Sequence, residues 1–434
     1  MEPGTSLALL IAIPFVGAAL GLLVWSNPQA LKIWALLVTA ASLLALVGMS
    51  GSLAEPAAGV PLLYLLPLAA FVSLLGQPPH QENRLAWLTT LMLLGLGLGA
   101  LVSRDGLGQI FLMILLGLVG LLVYRYRTLS GPDAWWGIGT YGLGIGCIAV
   151  ALIATAPVSS IAFLLACSIL LPLVPVHGGY VAALTGLPGN LPAFLALLLP
   201  SLGFHGLLTL IPSVPVVVLQ TLVVPALLGA LYGSLKALAQ SRVVSLVAYA
   251  GLAFLSILWW YLAAARTPTP QAAVYLNAVG FSTSGLLLAW YVLRARYGDV
   301  DLRALSGLAY PMPRFAVLLS LLALAAMGLP PFGLFSGFMG MLLNAPFPLS
   351  GALLIIAVAW LSASWYFLDL VQRLLFGRHR PELRHEDLRQ TEMTSLVMLV
   401  LILLALGLAP PRFFEPSPPP LQHGAAMESP AWNV

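Results

Sequence analysis

Few side chains in this chain could carry a proton or an ion, because only 7% of its 434 residues are charged. His205 is the one histidine deep within a long apolar segment, and imidazole titrates near neutral pH. Lys236 lies toward the end of another apolar segment, and a lysine can also gain or lose a proton where it is buried. His205 and Lys236 are therefore candidate proton carriers.

Each charged candidate also has a structural interpretation, which we favour. Without an acid nearby in sequence, His205 is expected to be a neutral imidazole bonded to a backbone carbonyl or a hydroxyl group. Lys236 is expected to extend its ammonium group to the lipid headgroups. Asp369 and Arg373 are four residues apart, so they could belong to a charge relay or form a local ion pair.

Other site chemistry is not supported by the sequence. Cys147 and Cys167 both lie in apolar runs without metal-ligand spacing, so we predict no metal site. The glycines of residues 95–103 lack the strand–turn–helix setting of a dinucleotide site, and no basic patch predicts a nucleic-acid partner.

The composition predicts the elements that must position these residues. Hydrophobic residues make up 60% of the chain, and a bilayer-crossing helix needs about 20 mainly apolar residues. We predict an all-α polytopic membrane protein, one membrane domain over 1–434, with a proline-rich tail at 412–434. The fourteen predicted spans are 6–25, 31–50, 59–77, 84–103, 107–124, 134–156, 159–176, 190–211, 215–238, 243–265, 270–293, 314–345, 351–376 and 393–411.

The basic residues predict the orientation of these spans. If the N-terminus is outside, fifteen Lys and Arg residues fall in cytoplasmic loops, and three, Arg104, Arg266 and Arg412, fall in outer loops. Because cytoplasmic loops carry the excess of basic residues, both termini are expected on the outer, periplasmic side.

Two of the predicted spans, the seventh and the twelfth, are interrupted by prolines. Proline removes a backbone donor, and the freed groups must then find partners within protein or beside water. Five spans separate the breaks, which predicts two inverted five-helix repeats, 84–211 and 215–376. His177 could act in the first break, but we favour a role in capping freed backbone groups. The break positions are Pro172, Pro175, His177, Gly328, Pro330, Pro331 and Gly333.

Four segments resemble a known family. They are PLVPVHG at 172–178, ALAQSRVVSLVAYAG at 237–251, DVDLRALSGLAYPMP at 299–313 and GLPPFGLFSGF at 328–338. They are similar to segments of the antiporter-like membrane subunits of NADH-quinone oxidoreductase (complex I), most of all subunits M and N. This proton-conducting membrane transporter family also includes subunits of Mrp antiporters and membrane-bound hydrogenases.

The resemblance implies a subunit in the membrane arm of a multisubunit complex in a bacterial-type inner membrane. Other membrane-arm subunits would be its partners. NADH, flavin, iron–sulfur clusters and quinone would be bound by partner subunits, with no cofactor in this chain. The family moves protons along a hydrated axis of lysines, glutamates and histidines, because a buried lysine near a carboxylate can take up and release a proton.

The positions of that axis are occupied by other residue types here. The fifth span has no acid near residues 115–117, and the eighth-span lysine falls on Pro200 or Ser201. We therefore predict a structural or coupling subunit, with a transporter using a modified path through His205 and Lys236 as the alternative. The family positions that have lost their ionisable residue are Leu170, Ser201, Val244, Phe254, Val279 and Phe338.

Overall fold

The fold is known from a computed structural model, which describes residues 3–49, 60–78, 83–103, 106–127, 133–266, 269–298, 305–343, 345, 351–377 and 386–408. The predicted proline-rich tail, 412–434, lies outside the described residues. The described residues form the α-helices α1 (Pro3–Gly21), α2 (Pro28–Gly48), α3 (Val60–Leu75), α4 (Arg84–Val102), α5 (Gly106–Arg125), α6 (Asp133–Ile153), α7 (Val158–Leu170), α8 (Gly178–Gly186), α9 (Leu191–Leu210), α10 (Val216–Leu238), α11 (Val243–Ala265), α12 (Pro270–Tyr297), α13 (Pro313–Ala326), α14 (Gly333–Leu343), α15 (Ala352–Leu375) and α16 (Gln390–Leu408).

The helices confirm the predicted fold class, an all-α polytopic membrane protein. Within the described ranges, ten helices are long and apolar enough to cross a membrane, and several shorter apolar helices accompany them. The exact number of spans and the two inverted repeats stay predictions.

The two predicted breaks are present. Within the seventh predicted span, α7 ends at Leu170 and the break separates it from α8, and the twelfth predicted span is divided into α13 and α14. One helix, Gly178–Gly186, directly after His177, lies outside the predicted spans. Two adjacent glycines disfavour a helix in isolation, but here Gly178 packs directly against the ring of Trp136 on α6. Tertiary packing therefore outweighs the local preference.

The most deeply buried helix, α12, is the least apolar of the candidate spans. α12 has the lowest mean hydropathy of these, 1.4, and its most apolar window is completely buried. It contains the buried polar residues Asn277, Ser282, Thr283 and Ser284. α4, α9 and α11 are also largely buried, whereas α2, α5, α6, α10, α15 and α16 are mostly exposed at the periphery. In a membrane protein, polar side chains are expected to face the protein interior in this way.

Candidate functional site

At the second break, the backbone packs against the side chain of a tryptophan. After α13 ends, Gly328 has a φ of +70°, a backbone conformation that favours glycine. A Cβ atom added at Gly328 would clash with the ring of Trp360, which comes from α15. The space beside the break is therefore filled by an indole ring.

Two of the lost family positions meet at this indole. The ring of Phe338 stacks on Trp360 with centroids 4.3 Å apart, and Phe254 meets Trp360 edge-on at 5.2 Å. Tyr275 lies 6.4 Å from Phe338 and donates its hydroxyl to the carbonyl oxygen of Phe254 at 3.1 Å. Val279, one turn further along α12, is also buried. We call Phe254, Tyr275, Phe338 and Trp360 the aromatic cluster.

At the first break, the lost lysine positions are buried. Leu170 and Ser201 are both fully buried, and the Oγ atom of Ser201 has no hydrogen-bond partner among the described residues. The carbonyl oxygen of Leu171, which the break frees from the helix, accepts a 2.8 Å hydrogen bond from Nε1 of Trp259. A side chain from α11 thus satisfies this freed group, as a buried backbone carbonyl requires.

The fifth span and the start of α11 complete the set of lost positions. Leu115 and Leu116, where the resemblance implies a glutamate, are fully buried in α5. Val244, at the position of the family's loop lysine, is partly exposed and lines a cavity of about 30 Å³. None of these side chains can carry a proton.

A cavity of about 340 Å³ lies at the first break, where Tyr232 of α10 lines it together with His177. His177 lines this cavity, and its ring is 5.3 Å from that of Tyr232. The Nζ atom of Lys236 lies 5.9 Å from the centre of the same tyrosine ring, one helical turn along α10. His177 precedes the first residue of α8, but its side chain does not cap that helix.

His205 is not part of this group. It is partly exposed on α9, and its Nδ1 atom is buried without a hydrogen-bond partner among the described residues. It lies about 21 Å along α9 from Leu191, toward the end that leads into α10. Lys236 is two residues before the far end of α10. Both candidate proton carriers thus lie toward the C-terminal ends of their helices, and because consecutive spans run in opposite directions, these two ends lie toward opposite sides of the membrane.

Asp369 and Arg373 form the local ion pair that their spacing allows. Nε of Arg373 is 2.7 Å from Oδ1 of Asp369, and both side chains are well exposed. No contact connects this pair to the breaks within the described part of the chain.

A second ion pair, which was not predicted from the sequence, is buried. Nη2 of Arg296, on α12, is 2.7 Å from Oε2 of Glu392, on α16, and these side chains are only 10% and 4% exposed. Arg296 also donates to the carbonyl oxygens of Glu386 and Asp387. The available signal was a carboxylate at the start of an otherwise apolar span, since a buried charge there needs a partner.

The burial of Lys32 was not predicted either, because this residue was counted among the fifteen basic residues of the cytoplasmic loops. It is buried near the start of α2, where its Nζ atom donates to the carbonyl oxygens of Leu75, at 3.0 Å, and Gln77. Leu75 is the last residue of α3 and Gln77 follows two residues later, so the ammonium group caps the negative end of that helix.

By fold, two broken helices beside a buried central layer place the chain among antiporter-like membrane proteins. Residues 148–365, half of the chain, match the family described as NADH:quinone oxidoreductase/Mrp antiporter, TM. The chain belongs to this family, as the four sequence segments indicated.

Similar proteins include subunits of respiratory enzymes. NADH-quinone oxidoreductase subunit M of Escherichia coli is 26% identical over 281 residues, which cover 63% of this chain and 54% of that protein. NAD(P)H-quinone oxidoreductase chain 4 1 of a Synechococcus species is 28% identical over 265 residues, 57% of this chain and 50% of that protein. The chain thus spans about half the length of the curated relatives it matches.

Solved structures show the same fold over nearly the whole chain. A chain of respiratory complex I from Thermus thermophilus matches with a TM-score of 0.80 and 24% identity, covering 94% of this chain and 97% of that one. A chain of the Mrp complex from Dietzia matches with a TM-score of 0.78 and 17% identity, covering 95% of this chain and 96% of that one. At these identities the likeness concerns the fold alone.

Proposed function

We propose that this chain is a membrane-arm subunit of a bacterial inner-membrane respiratory complex related to NADH-quinone oxidoreductase. Its role there is to hold and couple neighbouring subunits, and it does not move protons along the family's axis. Redox cofactors and quinone are bound by the partner subunits. Family membership and the names of similar proteins support the assembly.

The aromatic cluster is the observation that carries the proposed role. Phenylalanine rings neither bind nor release protons, and stacked rings at 4.3 Å leave no room for water between them. The cluster occupies two positions, Phe254 and Phe338, where the family has ionisable residues. At the other break, Leu170 replaces a third. A continuous proton path would have to bypass all three.

The test compares assembly with pumping in the native host complex. Deletion of this subunit is expected to prevent assembly or detach neighbouring membrane subunits, seen as a smaller complex on native gels. In the intact complex, His205→Ala and Lys236→Gln are expected to leave the number of protons moved per electron unchanged. Purified protein that alone drives ion flux into liposomes would show that the proposed role is wrong.

A second candidate function is ion transport through a modified path. The cavity lined by His177 and Tyr232 favours it, because it places one ionisable group at a helix break and a second, Lys236, beside the ring of Tyr232. Such a path would still have to reach His205, which lies toward the opposite side of the membrane from Lys236. If His205→Ala or His177→Ala lowers the proton-to-electron ratio while assembly is intact, this second function replaces the first.

A further inference from the structure

A group of polar side chains is buried where α3, α4 and α9 meet. Ser73, Gln77, Asn83, Thr90 and Asn190 are each no more than 4% exposed. Nδ2 of Asn190 donates to Oγ1 of Thr90 at 2.9 Å and to Oγ of Ser73 at 3.1 Å. We call these five residues the polar cluster. None of them is a family position considered above.

Several atoms of the polar cluster lack protein partners. Neither amide atom of Gln77 has a hydrogen-bond partner among the described residues, and neither has Oδ1 of Asn190. Both side chains are completely buried. Buried amides in proteins are nearly always bonded to protein or to ordered water. Three unpaired amide atoms in one place therefore indicate bound water.

A cavity of about 30 Å³ lies next to the polar cluster. Gly189 and Tyr291 line this cavity, and the Tyr291 hydroxyl donates to Oδ1 of Asn83 at 3.1 Å. A Cβ atom added at Gly189 would lie 3.2 Å from that oxygen and 3.6 Å from Oε1 of Gln77, so both side chains border Gly189. A water molecule needs about 10–15 Å³ of such volume, so the cavity has room for two.

The polar cluster ends abruptly toward the membrane interior. From Leu191 to Pro200, α9 is buried and apolar, and its next polar side chain is Ser201. Ser201 therefore lies roughly 16 Å from Asn190 along the helix. Apolar packing covers the other side: Gly97 of α4 is packed against Leu198 of α9 and Leu66 of α3. Water at Asn190 has no polar route further inward along α9.

We propose that the polar cluster and the adjacent cavity form a water-binding inlet that opens on the predicted cytoplasmic side and ends at Asn190. The ligand is water, held by the Gln77 amide, Oδ1 of Asn190 and the Tyr291–Asn83 pair. The inlet brings solvent to the start of α9 and stops there. It would exist whether or not the chain moves protons.

Cysteine accessibility tests the inlet. The native cysteines, Cys147 and Cys167, are both buried, so the background should be low. Gln77→Cys and Asn190→Cys would be made in the host complex and exposed in membranes to Ag⁺, which is small enough to follow water. Modification would be measured by mass spectrometry. Both cysteines are expected to react at least about tenfold faster than Ser256→Cys, since a thiolate forms readily only in a hydrated site.

Ser256 is a matched control because it is equally buried and its hydroxyl is already bonded to the carbonyl oxygen of Leu252 at 2.8 Å. Val244 lines the cavity, so adding Val244→Phe should slow modification of Asn190→Cys and leave the exposed Ser241→Cys unchanged. If Gln77→Cys disturbs assembly, Thr90→Cys, a closer replacement in size, takes its place with the same expected reactivity.

Three results would overturn the proposal. Equal, slow reaction at Asn190→Cys and Ser256→Cys would mean that the polar cluster is dry. An unchanged rate in the presence of Val244→Phe would mean that water does not enter through the cavity. Fast reaction at Ser201→Cys would mean that the inlet does not end at Asn190.

Discussion

Phe338 lies flat against Trp360, with ring centroids 4.3 Å apart and 29° between the ring planes, just after the second helix break. This contact joins α14 to α15 at the position where the sequence resemblance implies an acid. The break is therefore filled by packed aromatic rings. Single substitutions at these rings are expected to affect stability, whereas in a functioning proton path they would affect proton transport.

Phe338→Glu should destabilise the protein and should not create proton transport. The change removes a buried ring, which costs about 3–5 kcal/mol when truncated, and adds a carboxylate with no basic partner at Leu170. The thermal unfolding midpoint of the purified complex should fall clearly. Phe338→Leu, the matched control, should have a much smaller effect. Measurable proton uptake by the Phe338→Glu variant would contradict this view.

Gly328→Ala should lower stability because of both backbone and packing. The φ of +70° is unfavourable for alanine, and its methyl group would displace the Trp360 ring. We expect a loss of about 1–3 kcal/mol in the free energy of unfolding. Gly139→Ala in α6, where no atom lies within 4 Å of the added Cβ, should be neutral or slightly stabilising. Equal thermal midpoints for the two variants would show that Trp360 does not close the break.

Glu392→Gln should be far more costly than Asp369→Asn, although each breaks a 2.7 Å ion pair. Breaking the buried Arg296 pair leaves an uncompensated charge and should cost about 3–5 kcal/mol. The exposed pair with Arg373 should contribute only about 0.3–0.5 kcal/mol. Thermal unfolding at low and high salt would separate the two, since salt screens the exposed pair more strongly. Similar effects of both variants would contradict the burial of Glu392.

Trp259→Phe should destabilise the first break by about 1–3 kcal/mol, because the carbonyl oxygen of Leu171 would lose its partner in a buried place. Trp365→Phe is the control, since that indole is 69% exposed. Hydrogen exchange of the residues around the first break should increase only in the Trp259 variant. If exchange rises equally in both, the hydrogen bond does not hold the break.

The sequence located the two breaks because their cause is local. Proline removes an amide donor whatever surrounds it, so Pro172 and Pro331 mark broken helices without knowledge of the fold. The exposed Asp369–Arg373 pair is likewise a matter of helical spacing. The inverted repeats, 84–211 and 215–376, and the outward termini stay predictions.

The side-chain groupings could not be read from the sequence because they depend on distant helices. Phe254 and Phe338 meet only because Trp360, from a third helix, lies between α11 and α14. Lys32 was interpreted as a loop charge, and its burial depends on where the end of α3 lies. The helix after His177 was missed because its glycines gain their support from α6.

The packing around Trp360 also has an evolutionary meaning. Gly328 leaves space for this indole, and the indole in turn supports both Phe254 and Phe338. An ionisable residue at either phenylalanine would remove one of the two ring contacts of Trp360, so each single change of this kind is expected to be selected against. A lineage that has acquired the aromatic cluster would therefore be expected to place ionisable residues at these positions only through several simultaneous changes.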